Sequence, residues 1–299
     1  MDSSLVTVLL PAALALIMLG LGLSLTVADF RRVAQYPVPV AVALVCQIVV
    51  LPAVCLGLVL LFDLPAVLAV GMMLLAASPG GTTANLYSHL FGGDVALNIT
   101  LTAVNSVLAV FTMPIVTNLS LAYFSDGDTA LGLRFDKTLQ VFAVVLVPVA
   151  VGMLVRARFT EFAERMAKPV KVLSAVILLL VIAGAVAKEA EFLRSYLADV
   201  GLITFVFSVL SLAVGYGAAR LARADHGQAV ASCMEIGLHN STLAITFAVS
   251  PALLNSSEMA VPAAVYGVLM FFTAGAAGFL LSRRARTGST EAEAPVPHA

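Results

Sequence analysis

The sequence predicts an all-α polytopic membrane protein, and three observations carry that prediction. Hydrophobic residues make up 61% of the 299 positions and charged residues only 11%, against about 25% charged in an ordinary soluble domain. The apolar share matches the roughly 180 positions that nine spans of about 20 residues need. Basic residues fall in clusters between apolar runs, as they do in the loops of a membrane bundle.

Windows of about 19 residues place spans at 5–27, 38–62, 66–90, 95–123, 139–155, 170–187, 200–219, 229–254 and 260–282. The first is expected to be a retained span rather than a cleaved signal, because Met1 to Ser4 carries no positive charge. Its Gly20-Leu21-Gly22, like Gly215-Tyr216-Gly217 in the seventh, suits close helix packing; neither has a phosphate-loop or dinucleotide context. The second is apolar apart from Gln47, which suits interhelical hydrogen-bond glue. The third is interrupted by Ser78-Pro79-Gly80-Gly81-Thr82-Thr83-Ala84-Asn85, where proline removes a donor and glycines free the backbone, so the helix should break. The fourth carries Asn98, Thr102 and Asn105, at spacings of four and three that share one helix face; Asn105 reads as glue. Spans five and six flank a basic loop, and the seventh ends at Arg220 and Arg223. The eighth is interrupted by Glu235-Ile236-Gly237-Leu238-His239-Asn240-Ser241-Thr242. The ninth leads into Arg283, Arg284 and Arg286.

With the N-terminus outside, twelve of the sixteen Lys and Arg fall on the cytoplasmic side and four on the other. This split favours an odd number of spans and a cytoplasmic C-terminus. The organisation expected is one membrane domain over 1–282, with no soluble domain on either side, and a disordered cytoplasmic tail over 283–299. Net charge is −1, which leaves no basic footprint for nucleic acid. Cys46, Cys55 and Cys233 all lie in apolar runs and read as small core residues. Asn-x-Ser/Thr triplets at Asn98, Asn118, Asn240 and Asn255 fall mostly inside spans, which removes them as glycosylation sites. His89 reads as a solvated end residue.

Two broken spans decide the function class. Non-helical backbone at membrane depth survives only where it is buried in protein or lines a wet cavity. Each broken span is the penultimate one of its half, with opposed directions across the membrane, which is the trace of an inverted repeat around a midplane site. The halves differ by one helix, as though the first half had lost its first span. Of seventeen Asp and Glu, only Glu235 lies deep in a span, and no Lys or Arg accompanies it. Such a carboxylate needs a partner from outside the sequence, a cation or a proton. Glu235 and His239, four apart, suit a proton relay; zinc lacks a third ligand. The sequence contains no Ser-His, His-Glu-x-x-His or paired-Asp arrangement that points to an enzyme.

At these residues the chain resembles the bile acid:sodium symporter family. The resemblance runs from about Leu14 to Ser282, strongest in SPGGTTANLYSHLFGGDVALNITLTAVNS (Ser78 to Ser106) and EIGLHNSTLA (Glu235 to Ala244), with support from MLGLGLSLTVADF (Met18 to Phe30) and CQIVVLPA (Cys46 to Ala53). It implies nine transmembrane helices in an inverted repeat, with panel and core domains and two crossing discontinuous helices in the core. It implies Na⁺ at Glu235, Asn85, Asn98 and Thr102, and a second cation position at Glu235, Gln47, His239 and the carbonyls near Ile236 and Leu238. An organic anion, bile-acid-like or a small carboxylate, would meet Thr82 and Asn240. The chain departs from the family where His239 replaces Gln, Ala84 replaces Ser, and Met270 and Phe271 replace the His and Asn of some bacterial relatives. The expectation is a sodium-coupled symporter of the bacterial inner membrane with no organic cofactor and no obligate protein partner. A proton-coupled symporter using Glu235 and His239, and a passive organic-anion facilitator, are the alternatives.

Overall fold

In a bilayer every backbone N–H and C=O has to be satisfied within the protein, and helices do this segment by segment. The computed structural model describes residues 15–16, 18–20, 22–23, 25–124, 135–166, 169–170, 172–173, 176, 190–250 and 253–292, with the backbone alone for Thr82, 135–146, 190–199 and 284–292. Among these residues the regular elements are helical. Four stretches are long and apolar enough to cross a membrane: Pro37–Leu61, Val95–Phe124, Val200–Leu221 and Glu258–Arg283.

In chain order the elements are α1 (Val27–Arg31), α2 (Pro37–Val45), a π-helical turn (Cys46–Val50), α3 (Leu51–Leu61), α4 (Ala66–Ala77), α5 (Thr82–Leu90), α6 (Val95–Phe124), α7 (Phe135–Arg158), α8 (Ala190–Leu221), α9 (His226–Gly237), α10 (Ser241–Val249) and α11 (Val261–Ala292). The π turn has a local cause. Pro52 lacks the N–H that a regular helix would use, and a widened turn just before it lets α2 run on into α3. Gln47 sits in that turn.

The two breaks occur at the residues that predict them. Helix α4 stops at Ala77; Ser78, the residue before Pro79, is extended at φ −71°, ψ 144°, as the proline ring requires of its predecessor. Helix α5 restarts at Thr82. Helix α9 ends at Gly237, and α10 restarts at Ser241 with Asn240 as its cap, Oδ1 accepting the Leu243 N–H at 3.0 Å. The broken segments then satisfy each other. The Gly81 N–H donates to the Leu238 carbonyl at 2.9 Å and the Asn240 N–H to the Pro79 carbonyl at 2.8 Å, forming an antiparallel bridge between Gly80 and His239.

Several spans extend beyond their hydropathy limits. Helix α7 covers Phe135–Arg158 where hydropathy marks 139–155, and α8 starts at Ala190 instead of 200. A window stops at charged residues, but a helix leaving the membrane carries them into water without breaking. For the same reason α11 stays helical through Ala292; the rest of the expected tail, beyond 292, lies outside the described residues. The first span, read as 5–27, has non-helical backbone at Leu25 and Thr26, after which α1 starts with a capping box between Thr26 and Asp29. Most of that span and of 170–187 lies outside the described residues.

Packing follows the small residues. A Cβ on Gly22 would meet the Val149 carbonyl, and one on Gly152 the Leu19 carbonyl, so the segment around Gly22 and α7 lie in backbone contact. Gly215 does the same for α8 against Ser232 and Cys233 of α9, whereas Gly217 faces open space. Cys46, Cys55 and Cys233 are buried and free, consistent with their reading as core residues. His89 is exposed.

Candidate cation site

Glu235 lies in the last turn of α9 and is fully buried. Its neighbours on α6 supply hydrogen bonds: Thr102 Oγ1 donates to Oε2 at 2.6 Å and Asn105 Nδ2 to Oε1 at 3.1 Å. Gly80, in the other break, approaches so closely that a Cβ there would run into the carboxylate. The three elements α6, α9 and the 78–81 break therefore meet at one charge. Among the described residues no Lys or Arg forms an ion pair with Glu235.

The amides around it are oriented by chemistry. Asn98 Nδ2 donates to the Ala231 carbonyl at 2.8 Å, and Asn105 Nδ2 to a carboxylate, two acceptors that only the NH₂ side of the amide can serve. Their oxygens face elsewhere. Asn85 Oδ1, Asn98 Oδ1 and Asn105 Oδ1 are all buried with no hydrogen-bond partner. Buried acceptors without donors cost about 1–3 kcal/mol each, a cost that a cation would remove at each oxygen it contacts. A carboxylate, amide oxygens and a hydroxyl form a hard oxygen set suited to Na⁺.

A second group of side chains converges on the Ser78 carbonyl. Gln47 Nε2 donates to it at 2.9 Å and to the Ala76 carbonyl at 3.3 Å, while His239 Nδ1 lies 3.1 Å from it. The first two contacts cap carbonyls that the end of α4 leaves open. On the α9 side, Tyr266 of α11 donates its hydroxyl to the Gly237 carbonyl at 2.8 Å. The His239 ring stacks on Phe207 and meets Tyr266 edge-on, at centroid distances of 5.5 and 5.4 Å. Gln47 Oε1 and His239 Nε2 are buried without partners.

The predicted residues thus divide into two groups. Glu235, Asn98 and Thr102 come together along α6 and α9, with Asn85 on the adjoining α5. Gln47 and His239 gather at Ser78, where α9 has already ended at Gly237, so Glu235 and His239 take different partners despite their four-residue spacing. The Leu238 carbonyl is engaged in the bridge, while Ile236 is a buried residue of α9. Asn240 uses its oxygen as a helix cap, and the Thr82 side chain lies outside the described residues. Asn105 is interhelical glue in the literal sense, but its partner is the carboxylate itself. Gly80 and Tyr266 carry structural roles at the site that the sequence reading does not assign.

Replacing Gln47 by Leu leaves the Ala76 and Ser78 carbonyls without this cap. The expected loss is about 2 kcal/mol of stability, read as a lower unfolding temperature of the purified protein in Na⁺-free buffer.

A sequence model of the sodium bile acid symporter family matches residues 11–196 of the chain. Similar proteins include the uncharacterized sodium-dependent transporter YocS of Bacillus subtilis, 29% identical over 85% of this chain and 77% of that protein. The probable chloroplastic sodium/metabolite cotransporter BASS2 of rice is 28% identical over 88% of this chain and 61% of its own length. Human sodium/bile acid cotransporter 4 is 30% identical over 78% of the chain, which spans only 53% of that relative.

Proposed function

The chain belongs to the sodium bile acid symporter family, and on that premise we propose that it is a secondary active transporter, coupling the movement of an organic anion to Na⁺ by alternating access. The observation that carries this reading is the fully buried Glu235 carboxylate, held by Thr102 and Asn105 where two broken helices meet, beside amide oxygens that lack donors. Na⁺ neutralises the carboxylate and draws α6, α9 and the two breaks together. The anion sits where α5 and α10 begin, at Thr82 and Asn240, because half-helix N-termini present free N–H groups and a positive dipole end. Asn240 retains its Nδ2 for that role, since its cap uses only Oδ1.

The architecture in this reading is nine spans in an inverted repeat, a core around the two breaks moving against a panel. The twelve-to-four distribution of Lys and Arg supports an outside N-terminus and a cytoplasmic C-terminus in a bacterial inner membrane. Names carried by the relatives, sodium-dependent transporter and sodium/bile acid cotransporter, support Na⁺ as the coupling ion and steroid conjugates among the anions to test.

The test is uptake into proteoliposomes, after a thermal-shift screen of conjugated sterols and short hydroxy or keto acids with and without Na⁺. An inward Na⁺ gradient is expected to concentrate the selected anion inside, with no accumulation from a pH gradient in Na⁺-free buffer. Accumulation driven by pH alone overturns sodium coupling in favour of proton coupling, and equilibration without accumulation makes the protein a facilitator.

A further inference from the structure

On the side of α11 opposite Phe271, helices α8 and α11 enclose an apolar groove of about 670 Å³. Its walls include Phe205, Val209 and Tyr216 from α8 and Phe272, Ala276 and Leu280 from α11. Several of these side chains face outward: Phe272 is 73% exposed and Leu280 62%. In a membrane helix such a surface faces lipid. The floor is different, because Leu212 and Cys233 close it, and both belong to the packing of α9. A Cβ on Gly237 would run into the Leu212 side chain, and one on Gly215 would lie 3.0 Å from the Cys233 Cα. The groove is thus backed by the same short helix that presents Glu235.

Its dimensions and charge select an occupant. From Phe205 to Gly217 the groove follows α8 for about 18 Å at 1.5 Å per residue, close to the roughly 15 Å depth of one leaflet of a 30 Å hydrocarbon core. One end is marked by positive charge. Arg220 stands three residues beyond Gly217 and four beyond Tyr216, on the groove face of α8, exposed, with Nη1 on the Ala224 carbonyl at 2.9 Å. On α11, Arg283 follows Leu280 by three residues and lies over the Phe279 ring at 4.5 Å. Arg223, Arg284 and Arg286 add to the same end by sequence; Asp225, the α9 cap, is the acidic residue nearest in the chain. An apolar channel one leaflet deep with basic residues at its mouth matches an acyl chain whose headgroup is negative.

We infer that the groove between α8 and α11 is a binding site for an anionic phospholipid, its acyl chain against Ala276 and Leu212 and its phosphate at Arg220 and Arg283. This rests on the membrane embedding of α8 and α11 and not on sodium coupling. Occupancy braces α9 from the side opposite α6.

The chain contains no tryptophan, so one introduced residue reports its own surroundings. Phe272→Trp places it in the groove, and Leu119→Trp places it on an exposed position of α6 as a control, 66% exposed in the native protein. Each full-length variant is reconstituted with phosphatidylglycerol or phosphatidylcholine brominated on its acyl chains. Phe272→Trp is expected to be quenched at a several-fold lower mole fraction of the anionic lipid, and Leu119→Trp equally by both. Adding Arg220→Gln and Arg283→Gln should abolish the difference at Phe272→Trp. Unbrominated phosphatidylglycerol, competing more strongly than phosphatidylcholine in the Phe272→Trp protein, gives the same reading without altering the arginines. Equal quenching by both lipids at Phe272→Trp, or a preference that survives loss of both arginines, overturns the inference. Quenching does not depend on transport, so this result and failure of the transport reading are separable.

Discussion

Glu235→Gln is expected to uncouple the protein from Na⁺ while leaving it folded. The substitution keeps the side chain's shape and an oxygen able to accept the Thr102 hydroxyl at the 2.6 Å contact; it removes the charge. A unit-charge attraction at about 4 Å and an effective dielectric near 20 is worth about 4 kcal/mol, which corresponds to roughly a thousandfold in cation affinity. Accumulation driven by a Na⁺ gradient should therefore vanish. The stability fingerprint is more specific than the lost activity. In the proposed reading, native protein buries an unpaired carboxylate when Na⁺ is absent and is stabilised when Na⁺ binds, by about 2.7 kcal/mol at a hundredfold excess over Kd. The variant no longer buries a charge, and its new amide N–H gains an acceptor in Asn105 Oδ1 once the Asn105 amide, which now turns its NH₂ to this position, turns over. Its unfolding temperature should be higher than that of native protein in Na⁺-free buffer and unresponsive to added Na⁺. A variant still stabilised by Na⁺ to the native extent would remove Glu235 from the cation site.

The two breaks and the carboxylate were readable because each violates a rule that an ordinary span obeys. Pro79 with two glycines cannot continue a helix, and a lone acid in an apolar run demands a partner. Among the described residues the helices were equally plain, since hydropathy is a sum over many residues. What sequence does not contain is the pairing across 159 positions that joins Gly80 to His239, because backbone hydrogen bonds between two breaks leave no mark on side-chain identity. Asn105 is an intermediate case. Its spacing from Asn98 and Thr102 places it on their face, yet an amide in a span reads equally as glue or as a ligand until its partner is known. Tyr266 was invisible for another reason: a tyrosine in an apolar helix looks like packing, and only the Gly237 carbonyl at 2.8 Å reveals its role. Gln47 was visible as a polar residue, but its role as a cap for α4 depends on where α4 stops. Helix ends were least readable where charged turns continue a helix beyond the membrane, as at the start of α8.

Gly80→Ala is expected to damage the site as much as loss of the carboxylate, by a different route. The added methyl would occupy space held by the Glu235 carboxyl group, and neither side yields easily. Thr102 and Asn105 fix the carboxylate from α6, and the Gly81 and Asn240 N–H bonds fix the backbone on either side of the bridge. Overpacking of this kind costs about 1–3 kcal/mol, and displacing the carboxylate adds the loss of charge-assisted hydrogen bonds at about 1.5–3 kcal/mol each. The variant should unfold at a lower temperature and lose most of its Na⁺ response. General damage to the fold would give the first result as well, so the deciding measurement is a double-mutant cycle. Glu235→Ala removes the atoms that the new methyl meets, and Gly80→Ala introduced into that background should cost far less than it does in native protein. A coupling of about 1–3 kcal/mol between the two substitutions is expected for residues in direct contact. Additive losses would mean that the methyl is accommodated elsewhere, and that the close approach of the two breaks does not set the position of the carboxylate.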